Sequence, residues 1–421
     1  IGGLFADKIL GFRKSLFWGG ILMIVGSAIL AYDPHEFFFL GISFTIVGTG
    51  FFKPNITTMV GSLYKAGDSR RDAGFSMFYA GINFGALMGG YACITIGKEY
   101  SWHLAFGLAG IVMVISLLTF LFTQKTLGPI GLAPSDNSEV KPVLTESVGQ
   151  TAPTAAASLK QTATKSTWKM YAVYIGSIAV IPVIMTMVAK TQYVDWFMYT
   201  IGPATLIYLF YEMRKYDAAE VKKLFAALFL IIFSIFFFAF FEQCGGSLSL
   251  FAAYNLNDEL LGVIPVDPNG VNNAANSLFV IILAPILGLI WIALDKKNRE
   301  PNTIVKFGLG FLFLAGAFYV FYSTRFFADD NGITSIDVFT LAYFVITLGE
   351  LCLSPIGLSA MTKLAPAKLQ GMMMGMWFLA SAYGQYAAGL IGAGISEGNE
   401  NDTLPQKLLT YTDGYKQLAV Y

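Results

Sequence analysis

Leu224–Phe241 reads LFAALFLIIFSIFFFAFF, 18 residues without a charge, and the next residue is Glu242. As a helix, a run of this length spans nearly all of the roughly 30 Å hydrocarbon core of a bilayer. A barrel strand would alternate apolar and polar side chains, and this run does not. Inside lipid the backbone must satisfy its own hydrogen bonds, so the run is a helix. Apolar sequence resumes beyond Glu242 as far as Tyr254, which places a carboxylate inside a span at 224–254.

Working outward in both directions, ten further segments have this character: 15–32, 37–64, 73–97, 102–123, 168–189, 196–212, 274–294, 303–327, 338–364 and 371–396. The chain is 55% hydrophobic and only 13% charged, against about 25% charged in soluble domains. The expectation is an all-α membrane protein. Net charge is zero, so no nucleic-acid partner is expected. Cys93, Cys244 and Cys352 lie in apolar runs, and His35 and His103 sit in outer loops without a second ligand. No metal, cofactor or signal peptide is therefore expected.

The loops fix the orientation. The odd-numbered connections, counted from the N-terminal one, carry 21 of the 27 basic residues, and the even-numbered ones carry 5. Positive charge accumulates on the cytoplasmic side, so loops 1–14, 65–72, 125–167, 213–223, 295–302 and 365–370 are assigned to the cytoplasm. Trp18, Trp102, Trp168, Trp196 and Trp291 fall near span ends, where an interfacial belt places them, while Trp377 lies inside its span. Residues 125–167, rich in Ser, Thr, Ala and Pro, read as a flexible cytoplasmic linker.

Three charges remain inside apolar segments: Lys53, Glu242 and Glu350. A charge at mid-membrane costs about 2.5–3.5 kcal/mol on insertion scales, so such residues face one another or water inside a bundle. Lys53 lies roughly 24 Å, and each glutamate roughly 18 Å, from the outer end of its span at 1.5 Å per residue. One layer can therefore hold all three. A Lys–Glu pair satisfies two of them and leaves the third needing a partner. Two readings stay open, a static ion pair that fixes helix register and an ion or substrate pathway. Pro54 and Pro355 free the carbonyls of Gly50 and Leu351, which suggests helices broken near these charges. Asn83 and Asn276 also lie inside spans, where an amide commonly joins helices. Gly81, Gly85 and Gly89 read as a helix-packing stripe.

Several stretches resemble the proton-coupled oligopeptide transporter family of the major facilitator superfamily. GGLFADKILGFRK (2–14) looks like the superfamily loop between the second and third helices. GTGFFKPN (48–55) is similar to the fourth helix, FSMFYAGINFGAL (75–87) to the fifth, FFEQCGGSL (240–248) to the seventh and GELCLSPIGLSAMTKLAP (349–366) to the tenth. The resemblance implies two six-helix halves with a two-helix insertion at 168–215, between an N-terminal bundle at 1–124 and a C-terminal bundle at 216–421. On this numbering the segments run from the end of helix two to helix eleven. Helix one with its Glu-x-x-Glu-Arg motif, most of helix two, and helix twelve are expected to be missing.

The resemblance also implies roles. Lys53 binds the peptide carboxylate and pairs with Glu350. Glu350, Asn83 and Asn276 bind the peptide amino group, and Trp377, Phe378 and Ser381 match the eleventh-helix pocket. Phe238 stands where many members carry Trp. Glu242, with Glu350 and Lys53, couples transport to protons, and Asp7 and Arg13 belong to a gating loop. The function implied is proton-coupled import of di- and tripeptides across the plasma membrane, with peptide, protons and lipid as partners and a monomer as the working unit. The alternative is the same fold carrying another small solute such as nitrate. The chain offers no HExxH, no nucleophile–base spacing and no phosphate loop, so no enzyme is expected.

Overall fold

The computed structural model describes residues 2–65, 68, 70–133, 168–395 and 402–421. Every apolar segment is helical. A short turn, α1 (Gly2–Phe5), runs into a wider π turn at Ala6–Leu10. It is followed by α2 (Phe12–Tyr32), α3 (Phe38–Ser62), α4 (Arg70–Glu99) and α5 (Trp102–Thr123). Then come α6 (Trp168–Ala189), α7 (Thr191–Met213), α8 (Ala218–Phe241) and α9 (Ser247–Asn255). The last five are α10 (Pro268–Asp295), α11 (Thr303–Ser323), α12 (Ile336–Leu364), α13 (Gln370–Ile395) and α14 (Leu404–Val420). A two-stranded ribbon, Glu259–Leu260 with Ile264–Pro265, is the one sheet among the described residues. Eight of the described helical spans are long and apolar enough to cross a membrane.

Four sequence expectations change. The span at 224–254 is not one helix. It breaks into a 3-10 turn at Glu242–Gly245 between α8 and α9, with Gly246 at φ −122° and ψ −114°. The prolines do not break their helices, because α3 continues through Pro54 and α12 through Pro355. The Gly50 carbonyl that Pro54 leaves without its helical donor is approached by Gly2, where a Cβ would lie 2.1 Å from that oxygen.

The third change is α14, which no apolar run announces. Its buried residues Leu408, Tyr411, Tyr415 and Leu418 form one stripe. Tyr415 packs among Phe251, Phe318 and Phe321, at ring distances of 5.7, 6.1 and 5.9 Å. The fourth concerns the linker. Residues 134–167 lie outside the described residues, but its beginning is ordered. Gln124–Leu127 is a 3-10 turn, and Arg13 Nε donates to Ile130 O at 2.7 Å.

The chain divides into two compact units. The first comprises 1–63, 90–224 and 364–376, and the second 64–89, 225–363 and 377–421. In the first, α2 lies against α3 at Gly19 and Gly48 and again at Gly26 and Gly41. A Cβ at Gly19 or Gly26 would come within 2.6 Å of the facing carbonyl, so these crossings need glycine. Leu10, Leu22, Phe51 and Val173 bring α6 onto the same core, and Trp18 Nε1 donates to Ser177 Oγ at 2.9 Å. In the second unit, Ala80, Val280, Ala284 and Leu351 form a cluster of small and branched side chains that lets α4, α10 and α12 approach closely.

Candidate functional site

Glu350 sits mid-way along α12 and is 3% exposed. The Tyr79 hydroxyl, from α4, donates to its Oε1. Asn276 Nδ2, from α10, donates to its Oε2 at 2.8 Å and to Thr347 Oγ1 at 3.1 Å. Asn83 lies one turn beyond Tyr79. Its Nδ2 donates to Tyr79 O at 3.1 Å, and its Oδ1 accepts from Ser277 Oγ at 3.3 Å. Three helices of the second unit thus converge on one carboxylate and bring together Glu350, Asn276 and Asn83, all expected from the sequence. Tyr79, Ser277 and Thr347 are additions that the sequence reading lacks. The available signal for Tyr79 is its i, i+4 spacing from Asn83, which places both on one helix face.

Glu242 occupies the helix break and accepts from Gln385 Nε2 at 3.1 Å. An interrupted helix in a membrane must satisfy its freed backbone groups with side chains. Gln243, fully buried, donates to Ala388 O at 3.1 Å and accepts from Ser247 Oγ at 2.9 Å. Asn272 Nδ2 donates to Cys244 O at 2.9 Å. Trp377 is 2% exposed. Its ring meets Phe238 at 6.5 Å and Phe307 at 6.2 Å, and a Cβ at Gly357 would lie 1.9 Å from it. Phe378 and Ser381 follow on α13, both half-buried. The glycines at 81, 85 and 89 do not pack a helix as expected, because a Cβ at each would meet nothing within 4 Å among the described residues.

In the first unit, Lys53 is an exposed residue of α3. Asp7 is 8% exposed, and its two oxygens accept from Gly371 N at 2.9 Å and Met372 N at 2.8 Å. It therefore caps the first turn of α13, where free N–H groups and the helix dipole favour a carboxylate. Burial pushes its pKa up to about 7, against the downward pull of those two N–H groups and Lys8. Arg13, besides its bond to Ile130, donates to Gly128 O. Lys8 donates to Tyr208 and to Glu212 Oε1, the latter at 2.7 Å, which ties the loop to α7.

Of the three charges singled out by the sequence, Glu350 is buried, Glu242 is half-buried and Lys53 is exposed, whereas other charges are enclosed. Asp7, Glu212 and Lys306 are each less than 9% exposed. Sequence position alone puts all three among loop or span-end residues, because each lies in a loop or within a few residues of the end of an apolar run.

The model of the POT family matches residues 13–407. The chain belongs to the POT family. The "Peptide transporter YePEPT" of Yersinia enterocolitica is 34% identical over 416 residues, covering 96% of this chain and 78% of that protein. The "Di-/tripeptide transporter" of Lactococcus lactis subsp. cremoris is 32% identical, covering 91% of this chain and 75% of its own. Among solved structures, "peptide transporter POT in complex with sulfate" is 31% identical with a TM-score of 0.64, covering all of this chain and 81% of the other. A POT family transporter in complex with a thioalcohol-conjugated peptide is 26% identical with a TM-score of 0.69, covering all of this chain and 82% of the other. This POT-family chain is a multi-pass integral membrane protein with a major-facilitator-type fold.

Proposed function

We propose that the chain is a proton-coupled symporter that imports di- and tripeptides across the plasma membrane by alternating access. The observation that carries this reading is the buried Glu350 carboxylate, held by Tyr79 and Asn276 from two other helices. A peptide is a zwitterion, and its ammonium has three donors that need oxygen acceptors. Glu350 supplies a carboxylate, and Asn83 and Asn276 supply amide oxygens. Both amides donate through Nδ2 to protein acceptors, and Asn83 Oδ1, which accepts from Ser277, has a second lone pair, so the amide oxygens are the atoms suited to an ammonium. Lys53 takes the peptide carboxylate. Trp377, Phe378 and Ser381 line the side-chain pocket.

Glu242, with Gln385 beside it, is the proton-linked acid. Protonation turns a carboxylate oxygen from acceptor into donor, so it changes which neighbour the group can hold. A change of partner that differs between two packings shifts the balance between them. Asp7 and Arg13 hold the cytoplasmic gating loop. The reading keeps the halves at 1–124 and 216–421, the linker at 125–167 and the inserted helices at 168–215. It needs a monomer, protons and lipid, and no cofactor, nucleic acid or enzymatic step.

The test is uptake of a labelled dipeptide into proteoliposomes under an inward proton gradient. Uptake is expected in the parent and lost in K53A and E350Q. E242Q is expected to keep peptide counterflow and lose gradient-driven accumulation. Uptake that nitrate competes away and peptides do not would replace this substrate with a small anion.

A further inference from the structure

Lys306 opens α11 and belongs by sequence with the cytoplasmic loops, yet it is 1% exposed. Its Nζ lies 2.7 Å from Asp72 Oδ2 and 2.6 Å from Glu300 Oε1. The Trp291 ring covers it at 4.8 Å. Asp72 Oδ1 accepts from Ser359 Oγ at 2.6 Å, and the adjacent Arg71 donates to Thr362 Oγ1 at 2.6 Å. One ammonium therefore gathers the first turn of α4, the 295–302 connection, the end of α10 and the end of α12. A loop cation that merely marks the cytoplasmic face stays in water. This one is enclosed by two carboxylates and an aromatic face, an arrangement that a desolvated ammonium requires.

The cluster connects to the candidate site through α4. Asp72, Tyr79 and Asn83 are spaced 7 and 4 residues apart, so they lie along one face of the helix. Tyr79 reaches Glu350 of α12 and Asn83 reaches Ser277 of α10. Between the two polar levels, Ala80 packs with Val280, Ala284 and Leu351. Ala73 packs on Gly288, where a Cβ would lie 3.4 Å from the Ala73 Cβ. A helix is stiff over this length, so the angle at which α4 leaves Asp72 sets where Tyr79 and Asn83 stand.

We propose that Lys306 is a positioning residue of the transport cycle, holding the cytoplasmic end of α4 closed on α10 and α12 through Asp72 and Glu300, and that this contact opens and closes once per turnover. The proposal rests on the transport reading above. Packed helix interfaces switch between discrete arrangements. A small set of charge-assisted bonds at a helix end is a contact that can be broken and remade without unpacking the apolar layer beside it.

The experiment uses the full chain with Cys93, Cys244 and Cys352 replaced by serine or alanine and with A73C and G288C added. The Cβ separation at that pair is close to disulfide reach, about 3.5–4.5 Å. The expected result is that complete oxidation cuts dipeptide uptake more than about tenfold and reductant restores it, because a latch that must open is held shut. In the K306M background the disulfide is expected to form about tenfold more slowly, because removing one partner opens the buried contact. K306R is expected to restore the parental rate. D72N weakens the contact from the other side and is expected to slow cross-linking to a lesser degree. It also serves if K306M does not accumulate as a monodisperse protein. Full uptake by completely cross-linked protein, or parental cross-linking rates in both K306M and D72N, overturns the proposal. The rate measurement needs no peptide, so a failure of the substrate assignment is distinguishable from a failure of the latch.

Discussion

The Tyr79 hydroxyl donates to the carboxylate of Glu350 from a helix 271 positions away in sequence. The bond fixes one carboxylate oxygen while Asn276 fixes the other, so the direction in which Glu350 faces a ligand is set by α4 and α10 rather than by α12 itself. Removing the hydroxyl in Y79F leaves the ring and takes away one bond to a charged group, worth about 1.5–3 kcal/mol. Since about 1.4 kcal/mol corresponds to each factor of ten, the KM for dipeptide is expected to rise roughly 10- to 100-fold with the protein still folded. Initial-rate uptake in proteoliposomes checks it, and an unchanged KM removes Tyr79 from the site.

The break between α8 and α9 makes a prediction about stability. Gln243 is fully buried and holds Ala239 O before the break, Ser247 Oγ after it and Ala388 O on α13. Q243L keeps the volume and abandons those groups. Each unsatisfied buried group costs about 1–3 kcal/mol. The thermal midpoint in detergent is expected to fall by several degrees, and an unchanged midpoint argues that water replaces the glutamine.

Much of the fold is legible in the sequence because it follows from one physical demand, that lipid-facing backbone be helical. The eleven apolar segments and their charged loops become helices and connections on that ground. α14 is hidden because Gln406, Lys407, Asp413 and Lys416 break up its hydropathy. Its signals are of a different kind, the Thr403–Gln406 capping box with Pro405 in the first turn and the spacing of Leu408, Tyr411, Tyr415 and Leu418. In the site, Glu350 and the two asparagines stand out as polar groups in apolar sequence. Tyr79 does not, because tyrosine is ordinary in a membrane helix and its partner comes from a helix far away in the chain. Lys306 is hidden for the opposite reason. It lies in the first turn of its helix, where a charge in sequence reads as a loop-facing residue, and only the folded chain encloses it.

Asp7 predicts a pH dependence. Its pKa is pushed up from 3.8 to about 7 by burial. A carboxyl whose folded value lies above its unfolded value favours the folded state in its neutral form. Its contribution is complete below about pH 4 and is lost as pH rises through about 7. The thermal midpoint of the purified protein is expected to decline across that window, and D7N, which stays neutral and can still accept from the α13 N–H groups, is expected to flatten part of the decline. Parallel melting curves from about pH 4 to about pH 8 check it, and identical pH profiles for the parent and D7N count against the assignment.

The cap also depends on a close approach. A Cβ at Gly371 would lie 2.6 Å from Gly3 O and 2.9 Å from Asp7 Oδ1. G371A therefore forces α13 and the turn before α2 apart, an overpacking cost of about 1–3 kcal/mol. Lower thermal stability together with a smaller pH effect of Asp7 is the expected result. A stable G371A with the parental pH profile would show that the contact yields.

The most direct test of the central claim, that Glu350 with Asn83 and Asn276 receives a peptide ammonium, is a binding comparison. Affinities of a dipeptide and its N-acetylated form are measured for the parent and for E350Q by calorimetry in detergent. Acetylation removes the ammonium, so the parent is expected to lose on the order of 10- to 100-fold, as for one charge-assisted hydrogen bond. E350Q is expected to bind both forms with nearly equal weakness. An equal loss on acetylation in the parent and E350Q would contradict the account.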